Sequence, residues 1–149
     1  MIRILTISIL LLLPLLARAE GYTCIEDMAT GFAYRNGQWQ ETSFKPGAKF
    51  IIRPASEFDQ DTGMSIALGI PRAKWAVGRP GEYEPIAGCE FDFDDEGNLD
   101  CRASYFSKFR MNRKSLRFLH AFLAGYSHPD SGNEADDSPY IAIGKCSPM

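Results

Sequence analysis

The sequence predicts a mainly β protein, a small antiparallel β-barrel or β-sandwich with two disulfides and at most a minor helix. Three observations support this fold class: short apolar–polar alternations separated by turn residues, an even number of cysteines, and an apolar leader at the N-terminus. The alternations predict the strands, and the leader together with the cysteines predicts the disulfides.

Residues 1–19 have the pattern of a cleavable signal peptide. Arg3 is followed by an apolar run, and the small residues Ala17 and Ala19 favour cleavage before Glu20. The run from residue 4 to residue 16 is shorter than the roughly 20 residues that a membrane-spanning helix needs. We therefore expect a single disulfide-bonded β-rich domain over residues 20–149, located in the periplasm or secreted, without a transmembrane segment.

The charge balance limits the classes of partner. The whole chain has 16 Lys and Arg against 19 Asp and Glu, and two of the bases, Arg3 and Arg18, lie in the leader. The mature domain is therefore acidic and has no overall attraction for nucleic acid or anionic lipid.

The four cysteines allow three disulfide pairings. We favour Cys89–Cys101, because these residues bracket an apparent hairpin, and Cys24–Cys146, which would join the two ends of the domain. No close C-x-x-C pair is present to suggest zinc or thiol redox chemistry.

The first half of the domain is predicted to consist of strands separated by turns. Asn36-Gly37 is typical of a tight hairpin turn, and Lys45-Pro46-Gly47 indicates a second turn. The predicted segments, in order, are a strand at 22–28, a hairpin at 31–44 and strands at 49–53, 64–70 and 74–77.

The second half has the clearest alternation. Cys89, Phe91 and Phe93 alternate with acids, the chain turns at 95–98, and the alternation resumes at Leu99. This pattern predicts a hairpin with one apolar and one acidic face. Residues 115–126 fit either a strand or a helix, and the surrounding turns favour a strand. The remaining predicted segments are a strand at 106–112, a polar loop at 127–138 and a closing strand at 140–146.

One acidic motif resembles part of a calcium loop. Oxygen-bearing side chains alternate around Gly97, although Ala103 stands where such a loop has a bidentate Glu. The favoured interpretation is an acidic hairpin tip that faces water, with a weak calcium site as the alternative and no other cofactor expected. The candidate ligands are Asp92, Asp94, Glu96 and Asp100.

A run of bases follows the acidic stretch. All the charged residues from Glu82 to Asp100 are acids, whereas those from Arg102 to Arg117 are bases. A basic patch would suit an anionic partner, but neighbouring strands could also pair these opposite charges across the sheet. Because we expect the protein to be exported, we do not expect nucleic acid to be its partner. The candidate binding residues are Arg102, Lys108, Arg110, Arg113, Lys114 and Arg117.

Sequence signatures of catalysis are absent. The two histidines, His120 and His128, form no H-E-x-x-H motif, and the chain has no G-x-S-x-G. His120 lies between Phe118 and Phe122 at strand spacing, which predicts a partly buried structural histidine. The sequence therefore indicates no catalytic residues and favours binding over catalysis.

Five short segments together resemble a group of small exported alphaproteobacterial proteins with no assigned function. The resemblance covers most of the mature chain and implies a bacterial periplasmic or secreted protein, without catalytic residues to transfer. The segments are Thr30-Gly31-Phe32, Trp39 with Phe44, Gly97-Asn98-Leu99-Asp100-Cys101, Phe109-Arg110-Met111-Asn112 with Leu116-Arg117-Phe118, and Ile143-Gly144-Lys145-Cys146.

We expect an exported, non-catalytic binding or envelope accessory module whose partner is an envelope or extracellular protein or a small ligand. A more specific version is an inhibitor of a hydrolase such as lysozyme, by analogy of size and class. Two alternatives are a carrier that encloses a small apolar ligand in the barrel and an enzyme that uses acids of the 82–100 stretch.

Overall fold

Nine β-strands and one short helix form the domain in the computed structural model, which describes residues 21–60, 72–103, 106–126 and 138–149. The strands alternate between inward and outward side chains, as the sequence pattern predicts. In chain order the elements are β1 (Tyr22–Arg35), β2 (Gln38–Phe44), β3 (Lys49–Pro54), α1 (Glu57–Gln60), β4 (Trp75–Gly78), β5 (Ala87–Cys89), β6 (Asn98–Ala103), β7 (Ser107–Asn112), β8 (Arg117–Phe122) and β9 (Tyr140–Pro148).

Eight of the strands close into an antiparallel barrel in the order β1-β3-β4-β5-β6-β7-β8-β9. The long strand β1 makes this closure, because it pairs with β9 along one edge and with β3 along the other. The distal part of β1 pairs with β2 instead of β3, so the β1–β2 hairpin is added to the ring. The predicted fold class is confirmed, and of its two forms the barrel is the one observed.

The β1–β2 turn follows the predicted Asn-Gly signal. Asn36 and Gly37 have φ angles of 52° and 80°. Two consecutive positive φ angles are the geometry of a type I′ turn, which matches the twist of the strands that it joins.

A β-bulge bends β1 at the seam with β9. The register shifts between Glu26 and Met28, so Asp27 is the extra residue. Gly144 faces the bulge from β9, and a Cβ atom there would lie 2.1 Å from the Ile25 carbonyl oxygen. Glycine at this position therefore allows the two strands to approach each other closely.

The barrel interior is filled by aromatic and aliphatic side chains. The Phe50 ring centroid lies 5.4 Å from that of Phe109 and 5.7 Å from that of Phe118, and the Phe109 and Phe118 rings stack at 5.2 Å. Fully buried Leu99 and Met111 extend this core. Burial of such side chains stabilises the fold by roughly 1.5–3 kcal/mol each.

Both predicted disulfides are confirmed. Cys24 and Cys146 lie directly opposite each other across the β1–β9 seam. Cys89 and Cys101 link β5 to β6. All four cysteines point into the core, where they are at most 4 % exposed.

The strand predicted to continue beyond Cys89 is wrong over residues 90–94, whereas the turn predicted at 95–98 is present at Asp95 and Glu96. Strand β5 ends at Cys89, and the following acids fold the chain back through local hydrogen bonds instead of a strand ladder. Asp94 accepts a hydrogen bond from the Asn98 amide, and its carbonyl accepts one from the Gly97 amide. Aspartate side chains compete with strand pairing in this way. The alternating Phe91 is 70 % exposed as a result.

The ambiguous segment 115–126 contains strand β8, so the favoured interpretation is confirmed. The strand predicted at 64–70 and nearly all of the loop predicted at 127–138 lie outside the described residues. Among the described residues, no helix has the length and apolar character required to cross a membrane.

The short helix α1 is fixed by a buried carboxylate. The Asp59 carboxylate accepts two hydrogen bonds from the Arg53 guanidinium, at 2.6 and 2.8 Å, and two from Ser56. These bonds, led by the one from Arg53, lower the pKa of Asp59 to about 2. Asp59 is almost completely buried, whereas the Arg53 side chain is partly exposed.

We predict that Asp59→Asn lowers the free energy of unfolding by about 1–2 kcal/mol at neutral pH. The loss is no larger because solvent screens the partly exposed Arg53 and weakens its ion pair with Asp59. Because folding lowers the pKa of Asp59, its contribution is complete above the ordinary value of 3.8 and disappears as the pH falls towards 2. Urea unfolding across this pH range should show the two proteins converging at acid pH. Glu57→Gln, an exposed change in the same helix, is the control. An equal loss in both variants would contradict the assigned role of Asp59.

Candidate functional site

The outer surface of β8, β9 and β1 carries exposed aliphatic side chains. Leu119 lies beside Ile143 across the β8–β9 pair, and Ile143 lies beside Met28 across the seam. Ile141 on β9 and Ile25 on β1 also point outward, one on each side of this row. These five residues, between 40 % and 63 % exposed, are called the apolar stripe.

Two pairs of like charges flank the apolar stripe. Arg102 lies directly opposite Lys108 across β6–β7, and the same row continues through Ala121 to Ile141. Arg117 lies directly opposite Lys145 across β8–β9, in the row that continues to Ile25. All four basic side chains are exposed, and the described part of the chain places no carboxylate within ion-pair distance of them.

Such pairs work against folding, because like charges on directly opposite residues of a sheet repel each other. The Cβ atoms of such neighbours are about 4.5–5.5 Å apart. The apolar stripe and the two flanking like-charge pairs are together called the outer wall.

The other predicted basic residues have different surroundings. Arg110 forms an ion pair with Asp100 at 3.5 Å, as the alternative of cross-strand charge pairing predicts. In the β7–β8 turn, Arg113 lies over the Phe93 ring at 5.2 Å and Lys114 Nζ donates to the Asp95 carbonyl at 2.8 Å. The predicted basic patch is therefore divided: Arg102, Lys108 and Arg117 belong to the outer wall, whereas Arg113 and Lys114 hold the acidic loop.

Two shallow grooves lie on either side of Thr30 and Ile141. One, of about 410 Å³, is bordered by Met28, Phe44 and Ile143. The other, of about 280 Å³, is bordered by Phe32 and Leu123 among others. Both are lined mainly by apolar side chains, so they extend the apolar surface of the stripe towards β2.

No family model, curated protein or solved structure matches this chain. The candidate site is therefore interpreted from its own geometry and chemistry.

The candidate calcium ligands make contacts with the protein instead of converging on one point. Asp92 accepts from the Trp75 indole at 2.9 Å and from the Phe93 amide at 2.7 Å. Glu96 accepts from the Asn98 side chain. Within the described ranges, no group of three or more His, Cys, Asp or Glu residues is arranged to hold a metal ion.

Hydrogen bonding also lowers the pKa of two carboxylates in this loop. The Phe93 amide and then the Trp75 indole lower the pKa of Asp92. The Asn98 amide, followed by the Asn98 side chain, lowers the pKa of Asp94. These carboxylates therefore act as local acceptors that shape the turn.

A polar cluster lies inside the barrel near the start of β7. His120 Nε2 is 3.0 Å from Ser107 Oγ, and His120 Nδ1 is 3.2 Å from the Tyr140 hydroxyl. The rings of Phe50 and Tyr140 pack edge-on against the imidazole at 5.2 and 5.4 Å. His120 is only 6 % exposed, so the burial predicted from its aromatic neighbours is confirmed.

The contact between Ser107 and His120 has the spacing of a nucleophile and its base, but its electrostatics favour a structural role. Burial, and secondarily the positive charge of Arg79, lowers the pKa of His120 to about 4. Such an imidazole is a weak base. A tyrosine hydroxyl, whose pKa burial raises, stands where a serine-hydrolase triad has a carboxylate.

The apolar stripe was missed by the sequence analysis. The sequence analysis predicted the closing strand at 140–146 but assigned no inward or outward face to Ile141 and Ile143. The residue that could have identified the faces of this strand is Cys146. A disulfide to β1 directs Cys146 inward, and period-two alternation then directs Ile141, Ile143 and Lys145 outward.

Proposed function

We propose that this chain is an exported, non-catalytic binding protein and that its outer wall is the binding surface. The observation that carries the proposal is the position of two like-charge pairs beside an exposed aliphatic stripe. These pairs work against folding, so a partner that neutralises them accounts for their presence.

Export is supported by the leader and by the disulfides. Residues 1–19 have the signal-peptide pattern, and both disulfides require an oxidising compartment to persist. The described chain starts β1 at Tyr22, shortly after the expected cleavage site. Removal of the leader would therefore leave the complete first strand.

The packed barrel interior and the hydrogen bonds of the acidic loop give less support to the carrier and enzyme alternatives. A carrier needs room in the barrel, whereas Phe50, Phe109 and Phe118 contact each other at its centre. An enzyme that uses acids of the 82–100 stretch needs carboxylates that face a substrate, whereas Asp92 and Asp94 are held by local hydrogen bonds. Binding at the outer wall is therefore the preferred function.

The proposal is tested in intact bacterial cells that produce the full chain. We expect the folded protein to begin at Glu20 by mass spectrometry. A photoreactive phenylalanine analogue at Ile143 or Leu119 should form adducts on irradiation of the cells, because both side chains point outward from the stripe.

Tyr83 is the matched control position. It is 99 % exposed, and it lies in the β4–β5 connection, away from β8 and β9 in the ring. Adducts of equal yield at Tyr83, or none at Ile143 and Leu119, would contradict the outer wall as the binding surface. A folded product that retains Met1 would contradict export with cleavage.

A further inference from the structure

We propose that the outer wall docks on an anionic phospholipid surface, so that the protein is a peripheral component of a membrane face. This inference rests on the proposed function, since it names the partner of the same wall. It follows from three properties of the wall: its aliphatic composition, its basic side chains that have no ion-pair partner among the described residues, and its convex shape.

The stripe has the chemistry of a surface that enters the boundary between headgroups and acyl chains. Its side chains are Ile, Leu and Met, and each is already partly exposed on the barrel. Phe32 and Leu123, which border one of the grooves, extend the exposed apolar area towards β2. Apolar side chains inserted at this boundary gain hydrophobic free energy, and nearby bases add attraction to anionic lipids.

The cations are placed to meet phosphate groups. Arg102 and Lys108 lie on one side of the row that contains Leu119 and Ile143, and Arg117 and Lys145 lie on its other side. A phosphate between the members of each pair would turn repulsion into two charge-assisted contacts. Each Lys or Arg near an anionic membrane surface contributes roughly a fivefold gain in affinity.

The acidic character of the whole chain does not prevent this local attraction. Screening limits electrostatic interactions to about 8–10 Å at physiological salt. Asp27 and Glu41 lie on the β1–β2 side of the wall, where each lines one of the two grooves, and Asp100 on β6 is paired with Arg110. The favourable orientation therefore brings β7, β8 and β9 closest to the lipid and leaves the two grooves, with their carboxylates, at the edge of the contact.

The shape of the wall favours a lipid surface over an acidic protein. The outer face of a closed barrel is convex, and a fluid bilayer adapts to a convex body without a preformed complement. Protein interfaces depend mostly on Trp, Tyr and Arg anchors near their centre, whereas the centre of the stripe is aliphatic. An acidic protein partner is the competing result of the test.

The experiment measures vesicle co-sedimentation of the mature, oxidised chain, residues 20–149. We expect binding to vesicles with about 30 % phosphatidylglycerol in phosphatidylcholine, little binding to phosphatidylcholine alone, and weakening by added salt. Lys108→Glu combined with Arg117→Glu should lower the partition coefficient by more than about 25-fold. Ile141→Asn combined with Ile143→Asn should also abolish co-sedimentation, because it removes the inserted apolar groups.

A stability measurement separates binding from folding. Each charge reversal converts a like-charge pair into an opposite-charge pair, so thermal unfolding of the Lys108→Glu/Arg117→Glu variant should occur at an unchanged or higher temperature. Arg72→Glu combined with Lys74→Glu is the matched control. These exposed bases precede β4, which is separated from β9 by β1 and β3, and their reversal should leave much of the binding intact.

Three results would overturn the lipid assignment. The first is no binding to the anionic vesicles, and the second is an equal loss in the Arg72/Lys74 control. The third is full binding by the Ile141/Ile143 variant, which would show an anion site without lipid insertion. If vesicles fail while Ile143 forms adducts with one acidic protein in cells, the lipid partner is wrong and the outer wall remains the binding surface. If both experiments fail, the proposed function is wrong as well.

Discussion

Replacing Cys24 and Cys146 together by serine should lower the free energy of unfolding by about 5 kcal/mol. The disulfide joins residues that are 122 positions apart, so its loss restores a large conformational entropy to the unfolded chain. It also crosses the β1–β9 seam, where the barrel closes. Because small domains have a total stability of about 5–15 kcal/mol, this variant should be largely unfolded near physiological temperature.

The second disulfide is the internal comparison for this prediction. Cys89 and Cys101 are only 12 positions apart, and their replacement by serine should lower the free energy of unfolding by about 3 kcal/mol. Guanidinium unfolding of the two double variants, followed by tryptophan fluorescence, measures the difference. If the Cys89/Cys101 variant were the less stable of the two, loop length would not be what decides the stabilisation by each disulfide.

The mainly β fold class could be predicted from the sequence because its main signals are local. Strand alternation, the Asn36-Gly37 turn and an even number of cysteines each depend on short segments. The favoured Cys24–Cys146 pairing also placed the two ends of the domain side by side, and this is compatible with a closed barrel. The choice between barrel and sandwich could not be made locally, because it depends on β1 pairing with both β3 and β9.

The predicted hairpin from Cys89 shows where alternation fails as a signal. Phe91 and Phe93 have strand spacing, yet only Phe93 packs inward, against Trp75 at 5.2 Å. Asp92 and Asp94, which alternate with these rings, accept hydrogen bonds from nearby backbone amides, and this removes the advantage of a strand ladder. Apolar spacing in a segment this rich in aspartate is therefore an unreliable predictor of strands.

The candidate site was predicted only in part. The sequence identified Arg102, Lys108 and Arg117, since a run of bases is visible in one dimension. It could not show that Lys145 lies opposite Arg117, because that neighbour comes from the last strand. The like-charge pairs and the aliphatic row between them depend on strand register, and register is set by closure of the whole barrel.

A fall in pH should destabilise the protein through His120. Folding lowers the pKa of His120 from 6.5 to about 4, mainly by burial. The unfolded chain therefore binds this proton more readily, and stability decreases as the pH falls from 6.5 towards 4. We expect a loss of about 2 kcal/mol from His120 between about pH 7 and pH 5.

The matching variant is His120→Gln, which keeps a hydrogen-bonding side chain between Ser107 and Tyr140 but does not titrate. Between these two pH values the variant should lose about 2 kcal/mol less of its free energy of unfolding than the wild type loses. His128→Gln removes the only other histidine and should retain the wild-type slope. If His120→Gln kept the wild-type pH dependence, or if His128→Gln abolished it, the buried imidazole would not be the group responsible. Carboxylates such as Asp59 titrate at lower pH, so their contribution lies outside this interval.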